Sequence, residues 1–416
     1  AVVPLLVGAV VAHAQQTGII PERVLPGLSG ELQQQIQNDP VLNPQQLPEL
    51  KAPEAKPEPA PQPEDETATK VTVQEFVVEG HTLATTQEIQ EILKPWLNTP
   101  ISLNELRRGV AQVAALYRNK GYLGQAVLPN QDITAGVVRV VVVEGKVGKI
   151  IIDAPTDQPQ VGPFLINRIE TLLQHKLAAG VALNFNDFDW SLLVADDLPG
   201  VSVRGALQAG TEPGTTDVLV QVVPTLKTRG VVSSDNNGSR NTGTVRLNAQ
   251  VQFESAMGWG ETFNISGTKN EGSEYLRVAH SIPFGFNGWK GLTLNVDASR
   301  LNYQVLTEYK PDSATFNPEG QSDTWGWGLR YPFVRNSTTN VYGELGYENR
   351  RSVDKGDTVV AGSSSVVLDV TRDTRVEALN LSLNLNHNDS YGGGGSNLMQ
   401  ATYTHGDMAL LPESVR

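Results

Sequence analysis

VRLNAQVQFE, residues 245–254, alternates without a break. Val245, Leu247, Ala249, Val251 and Phe253 share one face of an extended chain, and Arg246, Asn248, Gln250, Gln252 and Glu254 share the other. A period of two is a strand. In a soluble sandwich the apolar face would be core; in a transmembrane barrel it would meet lipid, and the polar face would line the interior. The sequence around it decides. From Lys227 onward no helical pattern recurs, and strand after strand follows: TGTVRLNAQVQFE, ETFNISGT, EYLRVAHSIPF, LTLNVDASRLNYQ, TWGWGLRYPF, VYGELGYENR, VEALNLSLNLNHN and NLMQATYTHG. These runs are near ten residues, the length a tilted strand needs to cross a bilayer, whereas sandwich strands are usually about five or six. Trp259, Trp289, Trp325 and Trp327, with Tyr331 and Phe333, are the aromatics expected at bilayer interfaces. Residues 227–416 are therefore read as the N-terminal part of an antiparallel transmembrane β-barrel. Arg246, Asn248, Gln250, Gln252 and Glu254 are assigned to its lumen, and Val245, Leu247, Val251 and Phe253 to lipid. Lipid tolerates no open strand edge, so the barrel must close, and about eight to ten strands fit the stretch. The last residues, ESVR, form no terminal aromatic strand, so the record is expected to be truncated.

Composition narrows the rest. The 416 residues have a net charge of -13, no cysteine and 39% hydrophobic residues. That excludes disulfides and cysteine-based sites, gives no basic footprint for nucleic acid, and is too polar for a bundle of membrane helices. AVVPLLVGAVVAHAQQ pairs an apolar run with Ala12-His13-Ala14, the pattern of a secretory signal ending at residue 14. Residues 15–70 are Pro-rich and read as a tether, with one polar segment, Gly30 to Asp39, as a candidate helix.

Between tether and barrel one order of elements occurs twice: strand, helix, helix, strand, strand. In residues 71–146 it runs VTVQEFVVEG, TTQEIQEILKPWL with Pro95 perturbing the helix end, SLNELRRGVAQVAALYRNKGY, GQAVLP and GVVRVVVVEG. The second helix opens on a capping box, Ser102 with Glu105, and places Leu103, Leu106, Val110, Val113 and Tyr117 on one face. Gly121 suits its left-handed stop. In residues 147–226 the order recurs as VGKIIIDA, FLINRIETLLQHKL, NDFDWSLLVADDLPG, VSVRGALQAG and TDVLVQVV. Tandem α+β modules before a barrel point to an interaction arm.

No catalytic constellation emerges. The six histidines are scattered without ligand spacing, and the glycines at 392–395 lack the Lys and helix of a phosphate cradle. Asp196-Asp197 is expected to be a solvated pair. No catalytic, cofactor or metal residue is assigned.

YRNKGYLGQAVLPNQDITAGVVRVVVVEGKVGKI, residues 117–150, resembles the first POTRA (polypeptide-transport-associated) module of two-partner secretion transporters, the TpsB family of ShlB/FhaC/HecB type. Tyr117-x-x-Lys120-Gly121-Tyr122, Leu128-Pro129-x-Gln131 and Val142-x-Glu144-Gly145 carry the likeness. Leu198-Pro199-Gly200, Gly210 and Gly214-Thr215-Thr216 resemble the second module's turns, and the stretch from Asp235 resembles the start of the family's barrel. The resemblance implies a monomeric outer-membrane barrel of 16 strands with periplasmic modules that recognise an unfolded secreted exoprotein, without nucleotide. It also implies a pore-plugging N-terminal helix, which singles out 30–39, and a VRGY-type lumenal loop, expected beyond residue 416. An unfolded client offers unpaired backbone that an exposed strand edge can bind. The expected contacts are Gly124, Gln125, Ala126, Val127 and Leu128, with a groove near Arg107 and Tyr117. The rival readings are an insertase for other barrels, a passive porin and a periplasmic scaffold.

Overall fold

A computed structural model describes residues 70–133, 135–154, 161–285, 288–306, 318–359, 367–389 and 391–411. The expected signal segment 1–14, the candidate helix 30–39 and the expected tether up to residue 69 lie outside the described residues.

In module 1 the elements are β1 (Val71–Thr72), β2 (Glu75–Glu79), α1 (Thr86–Leu93), β3 (Pro100–Ile101), α2 (Leu103–Asn119), β4 (Gly124–Val127) and β5 (Val137–Glu144). The expected first strand is split: β1 pairs with β3, while β2 joins the main sheet, ordered β2-β5-β4. Thr85 with Glu88 and Ser102 with Glu105 form two capping boxes, the second as expected. Pro95 turns the end of α1 into a 3-10 turn, Lys94–Trp96. The apolar face of α2 (Leu106, Val110, Val113, Tyr117) packs on Val138, Val140 and Val142. Leu103 does not join it: it stands exposed in the first turn, and buried Gly109 takes part instead, close under the Trp96 ring.

Module 2 repeats the plan with β6 (Lys146–Asp153), α3 (Pro163–Lys176), α4 (Phe185–Asp196), β7 (Val201–Ala209) and β8 (Thr215–Pro224), in the sheet order β6-β8-β7. Its core joins Leu165, Ile169 and Leu173 to Trp190, Val194, Val218 and Val220. In the main sheet of both modules the first strand (β2 or β6) pairs in parallel with the last (β5 or β8), and the remaining strand is antiparallel.

Nine antiparallel strands follow in sequential order: β9 (Thr228–Asp235), β10 (Arg246–Glu254), β11 (Thr262–Lys269), β12 (Ser273–Pro283), β13 (Thr293–Gln304), β14 (Glu319–Arg335), β15 (Thr339–Val359), β16 (Val367–Asp389) and β17 (Gly395–Leu411). Eight match the expected runs, and β9 is new. Several exceed ten residues, with 21 in β15 and 23 in β16, which pair with each other from Thr339↔His387 to Val359↔Val367. The outer strands β9 and β17 do not pair with each other among the described residues.

The polarity of this sheet is inverted relative to a soluble domain. In β10, Asn248 is 1% exposed and Leu247 is 53% exposed. Register extends the apolar face across strands: Trp327, Tyr347 and Leu379 form one row, and Leu329, Leu345 and Leu381 the next. The opposite face carries Tyr342 beside Asn384 and Glu344 beside Ser382. Above the apolar belt, Arg300, Asp323 and Arg351 lie side by side on the outer face. The apolar positions of β14 run from Trp325 to Phe333, which is about 26 Å of strand and about 20 Å of height at the usual tilt. No described helix is long and apolar enough to cross a membrane.

Candidate functional site

The motif residues of module 1 converge on one carboxylate. Glu144, at the end of β5, accepts hydrogen bonds from the Thr82 hydroxyl, from the backbone N–H groups of Thr82 (2.5 Å) and Leu83 (2.8 Å), and from the Tyr117 hydroxyl (2.9 Å). One side chain thus pins the β2–α1 loop and the end of α2 to the sheet. Burial by itself would raise the Glu144 pKa; the four donors outweigh it and hold the carboxyl below its ordinary range. Burial and then the neighbouring Glu144 push the Tyr117 phenol upward, so it stays a donor.

Gln131 acts as a detached piece of strand. Its Oε1 accepts from the Arg139 N–H and its Nε2 donates to the Arg139 carbonyl, both at 2.7 Å. Pro129 ends β4 two residues earlier, and the Gln131 amide continues the pairing along β5.

Gly121, Tyr122 and Gly145 lie at the joint between modules. The segment Val181–Asn184 of module 2 enters here: Leu123 N–H donates to the Leu183 carbonyl (3.0 Å), Leu183 N–H to the Gly145 carbonyl (2.8 Å) and Phe185 N–H to the Gly121 carbonyl (2.7 Å). Tyr122 bridges Asn184 in antiparallel fashion. A Cβ on Gly145 would sit 2.8 Å from the end of the Leu123 side chain, so a larger residue there would have to displace Leu123.

The expected contact residues divide. β4 is an edge strand, with Gln125 and Val127 exposed and Ala126 and Leu128 packed partly inward. Gly124 is buried because the Tyr117 ring covers it; a Cβ there would lie 2.5 Å from the Tyr117 Cγ. Tyr117 is 0% exposed and belongs to the core. The groove expectation is corrected on this point: a buried phenol fixed on Glu144 offers no surface. Arg107 is exposed, but ten residues earlier in α2, about 15 Å along the helix.

Sequence reasoning missed the seat of module 2 on the barrel. Asp197, at the end of α4, receives a two-pronged bond from Arg335 (Nε and Nη2, both 2.9 Å) and a third from the Tyr342 hydroxyl (3.3 Å). Arg335 is 2% exposed and also donates to Asn340 (3.0 Å). Asp196 accepts from the Ser202 hydroxyl and the Val203 N–H. The expectation of a solvated acidic pair without a basic partner is corrected in part: Asp197 is solvent-accessible but ion-paired with Arg335, and Asp196 is half-buried and hydrogen-bonded. Trp190 Nε1 donates to the Pro332 carbonyl (3.1 Å) where β14 breaks register between Pro332 and Val334. Pro332 inside a strand pattern was the available signal, since proline there marks a bulge. Gly200, at φ +86°, lies against Ser255 of the β10–β11 turn, so the Leu198-Pro199-Gly200 turn fits closely under the barrel rim.

The inner face of the sheet is mostly polar, apart from a buried patch of Tyr275, Leu301 and Tyr303, and many of its charges are paired. Arg246 meets Asp235 at 2.9 Å, Arg229 meets Glu254 at 3.3 Å, Arg277 meets Asp297 at 3.4 Å, Arg330 meets Glu344 at 3.2 Å and Arg350 meets Glu348 at 2.7 Å. Asn248 donates to Asp235 and accepts from Thr268, and Gln252 donates to Glu254. Gln250 is half-buried on the same face. Among the described residues, no group of three or more His, Asp or Glu is placed to hold a metal ion.

Comparison with known proteins gives two family matches. Residues 71–145 match the family described as POTRA domain, ShlB-type, and residues 214–407 match the family described as haemolysin secretion/activation protein ShlB/FhaC/HecB. The chain is 26% identical over 283 residues to the heme/hemopexin transporter protein HuxB of Haemophilus influenzae, covering 66% of this chain and 47% of that one. It is 25% identical over 324 residues to the outer membrane transporter CdiB of Escherichia coli, covering 78% of this chain and 52% of that one. It therefore spans about half the length of the curated relatives it matches. The solved structure of CdiB from Escherichia coli superposes with a TM-score of 0.63 at 22% identity, over 91% of this chain and 65% of that chain, and shares the fold.

Proposed function

We propose that the chain is a two-partner secretion (TpsB-type) transporter that recognises an unfolded exoprotein in the periplasm and passes it through a β-barrel pore, a reading supported by its matches to the ShlB-type POTRA and ShlB/FhaC/HecB families. The observation that carries this reading is the inverted sheet joined to two α+β modules: apolar side chains outside, paired charges and amides inside. A lining of mutually neutralised charges gives a client of either sign no deep electrostatic trap. The exposed edge at Gln125 and Val127 supports capture of unpaired client backbone, a mode that reads hydrogen-bonding groups more than sequence. With no nucleotide outside the inner membrane, folding of the client on the far side would bias its passage.

The test is export of the exoprotein encoded beside this protein, with and without residues 71–225, while barrel assembly is followed by fractionation. Loss of export with the barrel still in the outer membrane supports the transporter. Unchanged export together with failed assembly of other barrels would identify an insertase instead.

A further inference from the structure

The periplasmic rim carries apolar side chains that neither core uses. Phe164, the second residue of α3, is 52% exposed and sits beside Trp259 of the β10–β11 turn, with ring centroids 5.9 Å apart. Met257 in the same turn, Phe284 and Trp289 between β12 and β13, and Phe333 at the foot of β14 are also exposed. They continue the lipid-facing belt downward: Trp289 packs edge-on against Tyr331 at 5.0 Å, and Tyr331 against Phe333 at 5.3 Å. The turn beneath Phe164 is rigid, because Glu261 is almost fully buried and accepts from the N–H groups of Met257 (2.5 Å) and Trp259 (2.9 Å).

Helix α3 is held against this rim through its first two turns. Leu165 packs under Gly260, and Arg168 donates to the Pro283 carbonyl at the end of β12 and lies 5.4 Å from the Phe164 ring centroid. Lys176, at the far end of the helix, is ion-paired with Asp187 of α4 at 3.1 Å. An aromatic fringe continuous with the lipid-facing belt fits a phospholipid interface, where rings settle among headgroups.

Resting on the barrel reading above, we propose that module 2 is a membrane-contacting domain: Phe164 and Met257, with Trp259, dip into the periplasmic leaflet of the outer membrane and make phospholipid part of the seat that fixes α3. The barrel girdle thereby extends onto a periplasmic module.

The absence of native cysteine makes the test direct. Phe164→Cys and Met257→Cys, both at exposed positions, are labelled with an environment-sensitive fluorophore, and the protein is assembled into phosphatidylcholine vesicles with acyl chains unbrominated, brominated near the headgroup, or brominated near the bilayer centre. Leu381→Cys in the belt and Gln221→Cys on the exposed sheet face of module 2 are the controls. Blue-shifted emission and bromine quenching at 164 and 257, approaching those at 381 and absent at 221, is the expected result. Quenching at 381 but not at 164 or 257 overturns the proposal and leaves the barrel intact. Absence of quenching at 381 removes the barrel reading and this proposal with it.

Discussion

A carboxylate facing four donors differs from the same group in water, and Glu144 shows how. Glu144→Gln leaves one oxygen for donors that had two and turns an amide NH2 toward groups that also donate. Hydrogen bonds to charged groups contribute about 1.5–3 kcal/mol each, so the substitution should cost module 1 about 2–4 kcal/mol, read from urea unfolding. Its pH dependence has a fixed sign. The folded pKa lies below the unfolded one, so the stabilisation is complete above the ordinary carboxylate range and is lost as pH falls through the folded value. The gap between parent and variant should therefore be widest near neutral pH and close in acid. Glu88, held down to about 2 chiefly by its hydrogen bond from Lys120 and then by the Thr85 N–H, acts in the same direction in both proteins and cancels from the comparison. Gly124→Ala is a second test at this scale. Its methyl meets the Tyr117 ring, and overpacking should cost about 1–3 kcal/mol. The helical spacing of Leu106, Val110, Val113 and Tyr117 already placed Tyr117 in the core. Only the separate search for a client groove moved it to the surface, and the spacing was the better guide.

Elements with strong periodicity were legible, and elements defined by a partner were not. The capping box of α2 and the alternation of β10–β17 are local and stand in the sequence. Strand β9, TRGVVSSD, has a glycine and two serines where alternation would show, and it becomes a strand because β10 offers its free edge. The seat of module 2 is harder still: Asp197 and Arg335 are 138 residues apart in sequence. Their geometry gives a prediction at the scale of α4 and the β14–β15 turn. Arg335→Ala strips Asp197 of a two-pronged partner, but Asp197 is solvent-accessible and can be resolvated, so the cost should stay near that of a lost hydrogen bond to a charged group, about 1.5–3 kcal/mol, and below that of breaking a fully buried pair. Hydrogen exchange should accelerate in α4 and in the β14–β15 turn while β10–β12 keep their protection. Unchanged exchange in α4 would mean that Trp190 on Pro332 and Arg168 on Pro283 hold the module without the ion pair.

For the whole molecule the decisive property is which face of the sheet meets lipid, and adjacent residues of β16 can test it. Leu381 and Ser382 are neighbours in sequence and point to opposite faces; Leu381 is exposed beside Leu345, whereas Ser382 hydrogen-bonds Thr402 at 3.0 Å on the polar face. In a soluble sheet an exposed leucine tolerates arginine, and a side chain on the enclosed face does not. In a barrel the order reverses. An arginine at mid-belt on the lipid face costs about 2–4 kcal/mol, while the same residue toward a wet lumen is solvated. Leu381→Arg should therefore depress the amount of heat-modifiable, folded protein in the outer membrane, and Ser382→Arg should leave it near the parental level. The contrast is informative because both variants add the same side chain, charge and strand propensity, so only the environment of each face separates them. If Ser382→Arg were the damaging one, the apolar rows of β14–β16 would face water or protein. The pore, the paired charges within it and the lipid contact of module 2 would all have to be abandoned together.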